Sequence, residues 1–162
     1  MEESRMHKLH KRNRLEGYDY GNEGVCFLTL CTEERRNLLS RIVARGILDA
    51  PEMELTSYGK ILKEAIDYLN QAWENICVEE YVIMPNHLHI PVRVTKACKG
   101  ASGMSRATAA VIPRFVSPLK RYTNRTSGKQ LWQTSYYDHI VRDEADFLKH
   151  LRYIEENPAK WG

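Results

Sequence analysis

The chain has 162 residues, 43% of them hydrophobic, and a formal net charge of +3. This length supports one compact domain with its own core and is short for two. Neither a signal peptide nor a transmembrane helix is expected, because the N-terminal segment is charged and no apolar run approaches the roughly 20 residues that cross a bilayer. We therefore expect a cytoplasmic protein with a basic tail at residues 1–17 and a single domain at residues 18–162.

The first half of the chain predicts two strands and a helix. Residues 25–32 are rich in β-branched and aromatic side chains and follow a glycine-containing turn, which indicates the first strand. Residues 40–49 are expected to form a short helix or an irregular connection, and residues 51–57 a short second strand. Residues 57–73 carry apolar side chains at helical spacing, which predicts the first helix.

A hairpin is predicted next. Residues 76–83 and 87–94 are predicted as two strands that can pair around Pro85 and Asn86. Pro91 lies inside the second of them. Because proline lacks the N–H of a ladder hydrogen bond, this strand is expected to bulge or to end early there.

Positive charge is concentrated after this hairpin. Residues 93–129 hold nine lysines and arginines and no acidic residue, whereas the rest of the chain has fifteen basic and twenty-one acidic residues. Such segregation is typical of a surface that binds a polyanion, most commonly nucleic acid, and a solvated positive loop is the alternative. Within this stretch, residues 100–110 are small and polar, as in a loop, and residues 108–124 are predicted to be helical on either side of two prolines.

A β-prone segment at residues 131–141 and a final helix at residues 143–157 complete the order. This order of strands and helices is explained by an antiparallel sheet covered by helices on one face. Such an arrangement is an α+β architecture. The sequence has no glycine-rich phosphate loop and no regular βαβ units, and this disfavours a doubly wound nucleotide-binding fold.

Two histidines stand one residue apart in the second strand of the hairpin. Alternation along a strand directs Leu88 and Ile90 to the core and His87 and His89 to the opposite face. Their α-carbons are then about 6 to 7 Å apart, close enough for both imidazoles to bind one divalent ion. A pair of surface or hydrogen-bonded histidines is the alternative.

The final helix carries a polar stripe beside its apolar one. Asp143 is predicted as its N-cap, and Pro158 ends it. The polar stripe, at spacings of four, three and four, consists of Asp146, His150, Tyr153 and Asn157. Tyr153 alone would be interpreted as a core-edge residue. Here it shares a face with Asn157, whose amide oxygen can bind a hard metal ion. Docking this helix over the histidines would therefore bring the phenol and the amide to the two imidazoles.

The chain contains MPNHLH at residues 84–89, LWQTSYYDHIVRDE at residues 131–144 and YIEENPAKWG at residues 153–162. In order and content these segments, together with residues 18–42, resemble the REP-associated tyrosine transposases, relatives of the single-tyrosine HUH transposases of bacterial insertion sequences. The resemblance covers most of the chain and is far more specific than two histidines alone.

This resemblance implies a ferredoxin-like domain, a central antiparallel sheet with helices packed on it, that cuts single-stranded or hairpin DNA as a homodimer. It carries the HUH pair onto His87 and His89, the nucleophile onto Tyr153 and a polar metal ligand onto Asn157. The implied cofactor is a divalent metal, Mg²⁺ or Mn²⁺, bound at the scissile phosphate. The implied product is a covalent 5′-phosphotyrosine with a free 3′-hydroxyl, which permits rejoining without ATP.

The basic stretch is then expected to lie along the DNA. Phosphate contacts and base stacking are assigned to Arg93, Arg114, Lys120, Arg121, Arg125 and Tyr136. Tyr122, Tyr136 and Tyr137 are rival nucleophiles, and the adjacent pair would face opposite ways in a strand.

Two other functions remain open at this level. The first is a catalytically silent DNA- or RNA-binding protein of the same fold. The second is a metallohydrolase or oxygenase that combines His87 and His89 with a carboxylate from Glu79 or Glu80. Substitution of Tyr153 by phenylalanine separates them, because only a tyrosine-dependent nuclease needs the phenol.

Overall fold

A computed structural model describes residues 24–43, 51–78, 80–94, 111–141 and 143–161. The predicted tail at residues 1–17 and the predicted loop at residues 100–110 lie outside these ranges. The strands are β1 (Gly24–Cys31), β2 (Ser40–Val43), β3 (Glu52–Leu55), β4 (Ile76–Val78), β5 (Val82–Ile83), β6 (His87–Val94) and β7 (Tyr137–Ile140). The helices are α1 (Ser57–Ala72), α2 (Val111–Ser127) and α3 (Glu144–Glu156).

One antiparallel sheet organises the described part of the chain. Its strand order is β4-β6-β1-β7, with β5 also paired to β6, while β2 and β3 form a separate two-stranded ribbon. The predicted α+β class, a ferredoxin-like antiparallel sheet with helices packed on it, is confirmed. None of the described helices has the length and apolarity needed to cross a membrane.

The core lies on one face of this sheet. Leu28 of β1 is paired with Ile90 of β6, and both side chains are fully buried together with apolar residues of α1 and α2. By contrast, α3 covers the other face, where its Phe147 and Leu151 line a small cavity with Pro91. The prediction that the helices share one face is therefore wrong, because the apolar stripe of α3 packs on the face that carries the histidines.

Two other local predictions are corrected by tertiary contacts. Ser40–Val43 is a strand, paired with β3 and held by a 2.8 Å hydrogen bond from Ser40 Oγ to the carbonyl of Ile83. Helix α2 runs without interruption through both of its prolines. Pro113 stands in the first turn, where a backbone N–H would have no intrahelical acceptor, so the missing N–H costs nothing there. Pro118 lies inside the helix and removes one intrahelical hydrogen bond.

Pro91 does not interrupt β6. The pairing of β6 with β1 is continuous from Gly24↔Val94 to Cys31↔His87, so the expected bulge or early end is wrong. On the other edge, β4 pairs with residues 92–94 and β5 with residues 88–89. Pro91 thus lies opposite the break between two short strands, where a missing N–H interrupts no ladder on that side.

Candidate active site

The two histidines of β6 lie side by side on the face opposite the core. Their ring centroids are 4.5 Å apart, and the rings meet edge to face at 75°. Leu88, between them in the sequence, is fully buried on the other face. The period of two along the strand therefore places both imidazoles on one surface, as the sequence pattern indicates.

Each imidazole is oriented through its Nδ1 atom. The Nδ1 of His89 is 2.8 Å from the hydroxyl oxygen of Thr29, the residue paired with it on β1. The Nδ1 of His87 is 2.6 Å from the side-chain oxygen of Asn86. With Nδ1 held in this way, Nε2 is the atom available to a metal ion. The Nε2 of His89 is buried and has no hydrogen-bond partner among the described residues.

Both rings are neutral at physiological pH. Burial, assisted by the charge of Arg35, lowers the pKa of His87 to about 4. Burial, assisted by His87 and His150, lowers the pKa of His89 to about 3. Neutral imidazole is the form that binds metals, so the pair does not have to lose protons before an ion can bind.

Helix α3 brings a phenol to this pair. It begins at Asp143, whose carboxylate accepts a 2.8 Å hydrogen bond from the N–H of Asp146, as in the predicted N-cap. Near the other end of the helix, the ring of Tyr153 meets the His89 ring edge to face, at a centroid distance of 5.2 Å. Because Tyr153 is 51% exposed while His89 is buried, a ligand can reach the phenol from solvent.

Asn157 follows Tyr153 by about one turn and ends α3, with its N–H donating to the carbonyl of Ile154. Its side chain is buried, and its Nδ2 has no partner among the described residues. Rotating the carboxamide by 180° would exchange its two atoms and place the side-chain oxygen at the position of Nδ2. Imidazole nitrogens and an amide oxygen are donor types that suit a divalent ion with open coordination positions.

A cleft of about 760 Å³ opens beside Tyr153 and His89, and Tyr137 of β7 lines it as well. Tyr136 instead packs against the core, with its ring 5.6 Å from the Lys120 nitrogen. The expected opposite orientation of these two tyrosines is therefore observed. Sequence patterns did not single out Thr29 or Trp161, whose ring centroid is 5.8 Å from that of His87.

The predicted DNA-binding residues of α2 lie away from this cleft. Helix α2 packs with α1 on the core face, whereas the histidines occupy the other face. Exposed Arg121 and Arg125 line a separate groove of about 680 Å³ that also includes Lys129. Arg114 lies over the ring of Trp73, at 5.7 Å from the ring centroid.

Lys120 and Arg93 have structural contacts of their own. The ammonium of Lys120 donates to the carbonyls of three consecutive residues, 133, 134 and 135, at 2.7, 3.2 and 3.2 Å. Burial lowers its pKa to about 8. Arg93, on the same face as the histidines, lies over the ring of Phe147 at 5.8 Å.

Comparison with known proteins identifies transposases as relatives of this chain. A family model described as "Transposase IS200 like" matches residues 27–157. An uncharacterised protein of Haemophilus influenzae is 29% identical over 168 residues, which cover 94% of this chain and 90% of that protein. The REP-associated tyrosine transposase of Escherichia coli K12 is 26% identical over 85 residues, 52% of this chain and 46% of its own length.

Among solved structures, a REP-associated tyrosine transposase bound to a REP hairpin has a TM-score of 0.62 at 20% identity, over 91% of this chain and 73% of that chain. At this identity the likeness establishes a shared fold. The chain spans about half the length of the Escherichia coli relative.

Proposed function

The chain belongs to the IS200-like transposase family, and from this premise we propose that it is a metal-dependent endonuclease and strand transferase of single-stranded DNA. It cleaves DNA, and can rejoin it, through a covalent 5′-phosphotyrosine at hairpin-forming repeat elements. The observation that carries the proposal is the position of the half-exposed Tyr153 phenol against the buried His89 ring.

His87, His89 and Asn157 are the proposed ligands of a divalent ion, Mg²⁺ or Mn²⁺. Three features support this assignment: the anchored Nδ1 atoms, the neutral state of both rings, and buried nitrogens on His89 and Asn157 that lack partners among the described residues. When bound, such an ion supplies positive charge to the scissile phosphate as charge develops on it.

Tyr153 is the proposed nucleophile. Its phenolic oxygen attacks the phosphorus, the bond from phosphorus to the 3′-oxygen breaks, and the 5′ end of the strand becomes linked to the tyrosine. The phenol loses one proton, and the departing 3′-oxygen gains one. Because one phosphodiester is exchanged for another, attack by a 3′-hydroxyl on the phosphotyrosine reverses the reaction without an energy source.

Two surfaces are proposed to bind the DNA. The groove on α2 offers exposed Arg121 and Arg125, together with Lys120, to backbone phosphates. Arg114 of the same helix and Arg93 on the opposite face of the sheet are proposed as further contacts. Tyr137, which is exposed and lines the active-site cleft, is proposed to stack on unpaired bases, and the half-buried Tyr136 is proposed to do so from its position against the core. A hairpin is proposed as substrate because the solved relative binds one.

The test is a covalent adduct. Labelled single-stranded DNA that contains a hairpin is incubated with the protein and Mn²⁺, and the yield of SDS-resistant protein–DNA species is measured. We expect an adduct with the wild type and with Tyr137→Phe, the matched control in the same cleft, and none with Tyr153→Phe, which should still bind the DNA. Cleavage that survives Tyr153→Phe would favour a metallohydrolase. DNA binding without an adduct on any substrate would favour the silent binding protein.

The proposal extends to the organisation of the protein. We propose a single catalytic domain at residues 18–162 with a basic tail at residues 1–17, acting as a homodimer in the cytoplasm. Light scattering on the purified chain, with and without hairpin DNA, tests the assembly. A mass of one chain under both conditions would contradict the homodimer.

A further inference from the structure

We propose that His139, Asp146 and His150 form a second metal site, which takes a transition-metal ion such as Zn²⁺, Co²⁺ or Ni²⁺ and ties α3 to β7. Each of the three residues offers a ligand atom, and these atoms all lie within 4.8 Å of one another. None of the three belongs to the proposed ligand set of the active site. The inference does not depend on the proposed nuclease activity.

One carboxylate joins the two imidazoles. Asp146 Oδ2 is 2.9 Å from the Nε2 of His139, and Oδ1 is 3.2 Å from the Nδ1 of His150. The two rings are stacked, with centroids 4.4 Å apart and planes 19° from parallel. Asp146 and His150 are neighbours on one helical face because they are four residues apart. His139 comes from the adjacent strand β7.

Two imidazoles and one carboxylate favour a transition-metal ion. Imidazole nitrogen suits Zn²⁺, Ni²⁺, Cu²⁺ and Fe²⁺, whereas Mg²⁺ and Ca²⁺ prefer oxygen ligands. Three protein ligands leave further positions of the ion open. His139 and His150 line the same cleft as Tyr153, so the open positions are accessible to solvent and to small ligands.

Binding requires one local exchange. The Nδ1 of His150 is also 2.8 Å from the backbone carbonyl of Asp146, a contact along the helix. An ion either takes the place of this contact at Nδ1 or binds Nε2 after the ring turns over. The side chains of His139, Asp146 and His150 are 28%, 20% and 24% exposed, so an ion can reach them from solvent.

A metal ion shared by β7 and α3 would stabilise a helix that buries few side chains. Within the described helix, Ile154 is the one buried side chain, whereas α1 buries five residues and α2 six. An ion shared by β7 and α3 would add a cross-link where apolar burial is small. Since Tyr153 and Asn157 lie on the same helix, occupancy would also restrain them.

Metal binding to the full chain tests the proposal. His87→Ala/His89→Ala removes the other imidazole pair of the sheet, and His7→Ala/His10→Ala removes the histidines near the N-terminus, so this fourfold variant is the background. Zn²⁺ is titrated by calorimetry, and Co²⁺ by its visible absorption bands. We expect one equivalent to bind, and Zn²⁺ but not Mg²⁺ to raise the melting temperature, since an ion that binds the folded state stabilises it.

Two near-isosteric variants identify the ligands. Asp146→Asn and His139→Gln, each made in that background, are expected to weaken Zn²⁺ binding at least tenfold and to abolish the rise in melting temperature. Circular dichroism verifies that both variants fold, and either one suffices for the comparison. No binding in the background, or binding that both variants leave unchanged, would overturn the proposal and leave a purely hydrogen-bonded cluster. Neither measurement involves DNA cleavage.

Discussion

The edge of the Tyr153 ring meets the ring of His89 at an interplanar angle of 72°. The two residues are far apart in the chain and come together because α3 crosses the face of the sheet that carries the histidines. The phenol faces solvent, and the imidazole is shielded from it. Substitutions around this contact should therefore alter chemistry before they alter folding.

The hydroxyl of Thr29 is expected to orient His89. Thr29→Val removes the 2.8 Å contact with Nδ1 while it keeps the shape of the side chain. Loss of such a partner to a metal-binding histidine typically costs 10- to 100-fold in affinity or activity, and we expect a loss of about that size in Mn²⁺-supported cleavage. Thr29→Ser, which keeps the hydroxyl, is the control. Equal activity of the two variants would show that Thr29 does not orient the ring.

Stability is expected to fall on acidification below about pH 6.5. The pKa values of His87 and His89 are lowered in the folded protein to about 4 and about 3, whereas an unfolded histidine titrates near 6.5. Between these values the unfolded state binds more protons, so the free energy of unfolding decreases as the pH falls through this window. Urea unfolding in the presence of a chelator, from pH 7 to pH 4, measures this decrease in the free energy of unfolding. The free energy of unfolding of His89→Gln should depend less steeply on pH. Superimposable curves for the variant and the wild type would contradict the role of His89 in this pH dependence.

DNA affinity should depend on the α2 groove through charge. Arg121→Ala/Arg125→Ala is expected to weaken binding of single-stranded DNA regardless of its sequence. The slope of log K against log salt should fall by about 0.7 for each phosphate that the protein no longer neutralises. Lys63→Ala, a change of charge on α1 outside the groove, is the control. An unchanged slope for the double variant would place the DNA elsewhere.

The packing of α1 against the loop before β2 predicts a sensitive glycine. A β-carbon at Gly59 would lie 2.1 Å from the carbonyl oxygen of Leu39. Because the obstacle is backbone, Gly59→Ala should lower the free energy of unfolding by about 1–3 kcal/mol, as overpacked core substitutions do. Exposed Lys60→Ala is the neighbouring control and should stay within about 0.5 kcal/mol. Urea unfolding distinguishes them.

Local patterns were sufficient for the face of β6 that carries the histidines and for the ends of the last helix. The period of two separated His87 and His89 from Leu88, and the capping of α3 by Asp143 follows from residue type. These features depend on neighbours in sequence. For the same reason, the pattern could place Tyr153 and Asn157 on one face of a helix.

Long-range register was not available from such patterns. Thr29 meets His89 because β1 and β6 pair with that offset, and nothing in either strand alone specifies it. The link between His139 and Asp146 likewise depends on how α3 lies across β7. Residues 40–49 are predicted as a short helix or an irregular connection, but Ser40–Val43 is a strand because pairing with β3 decides its conformation. Residues 44–49 lie outside the described ranges.

The three carbonyl contacts of Lys120 affect the interpretation of alanine substitutions in the basic stretch at residues 93–129. This ammonium cross-links α2 to the segment that leads into β7, so its removal would disturb the strand that carries Tyr137. A poor DNA-binding result for Lys120→Ala would then reflect a displaced wall of the cleft as well as the loss of a positive charge. Lys120 therefore has a structural role in the groove that is separate from any contact with a phosphate.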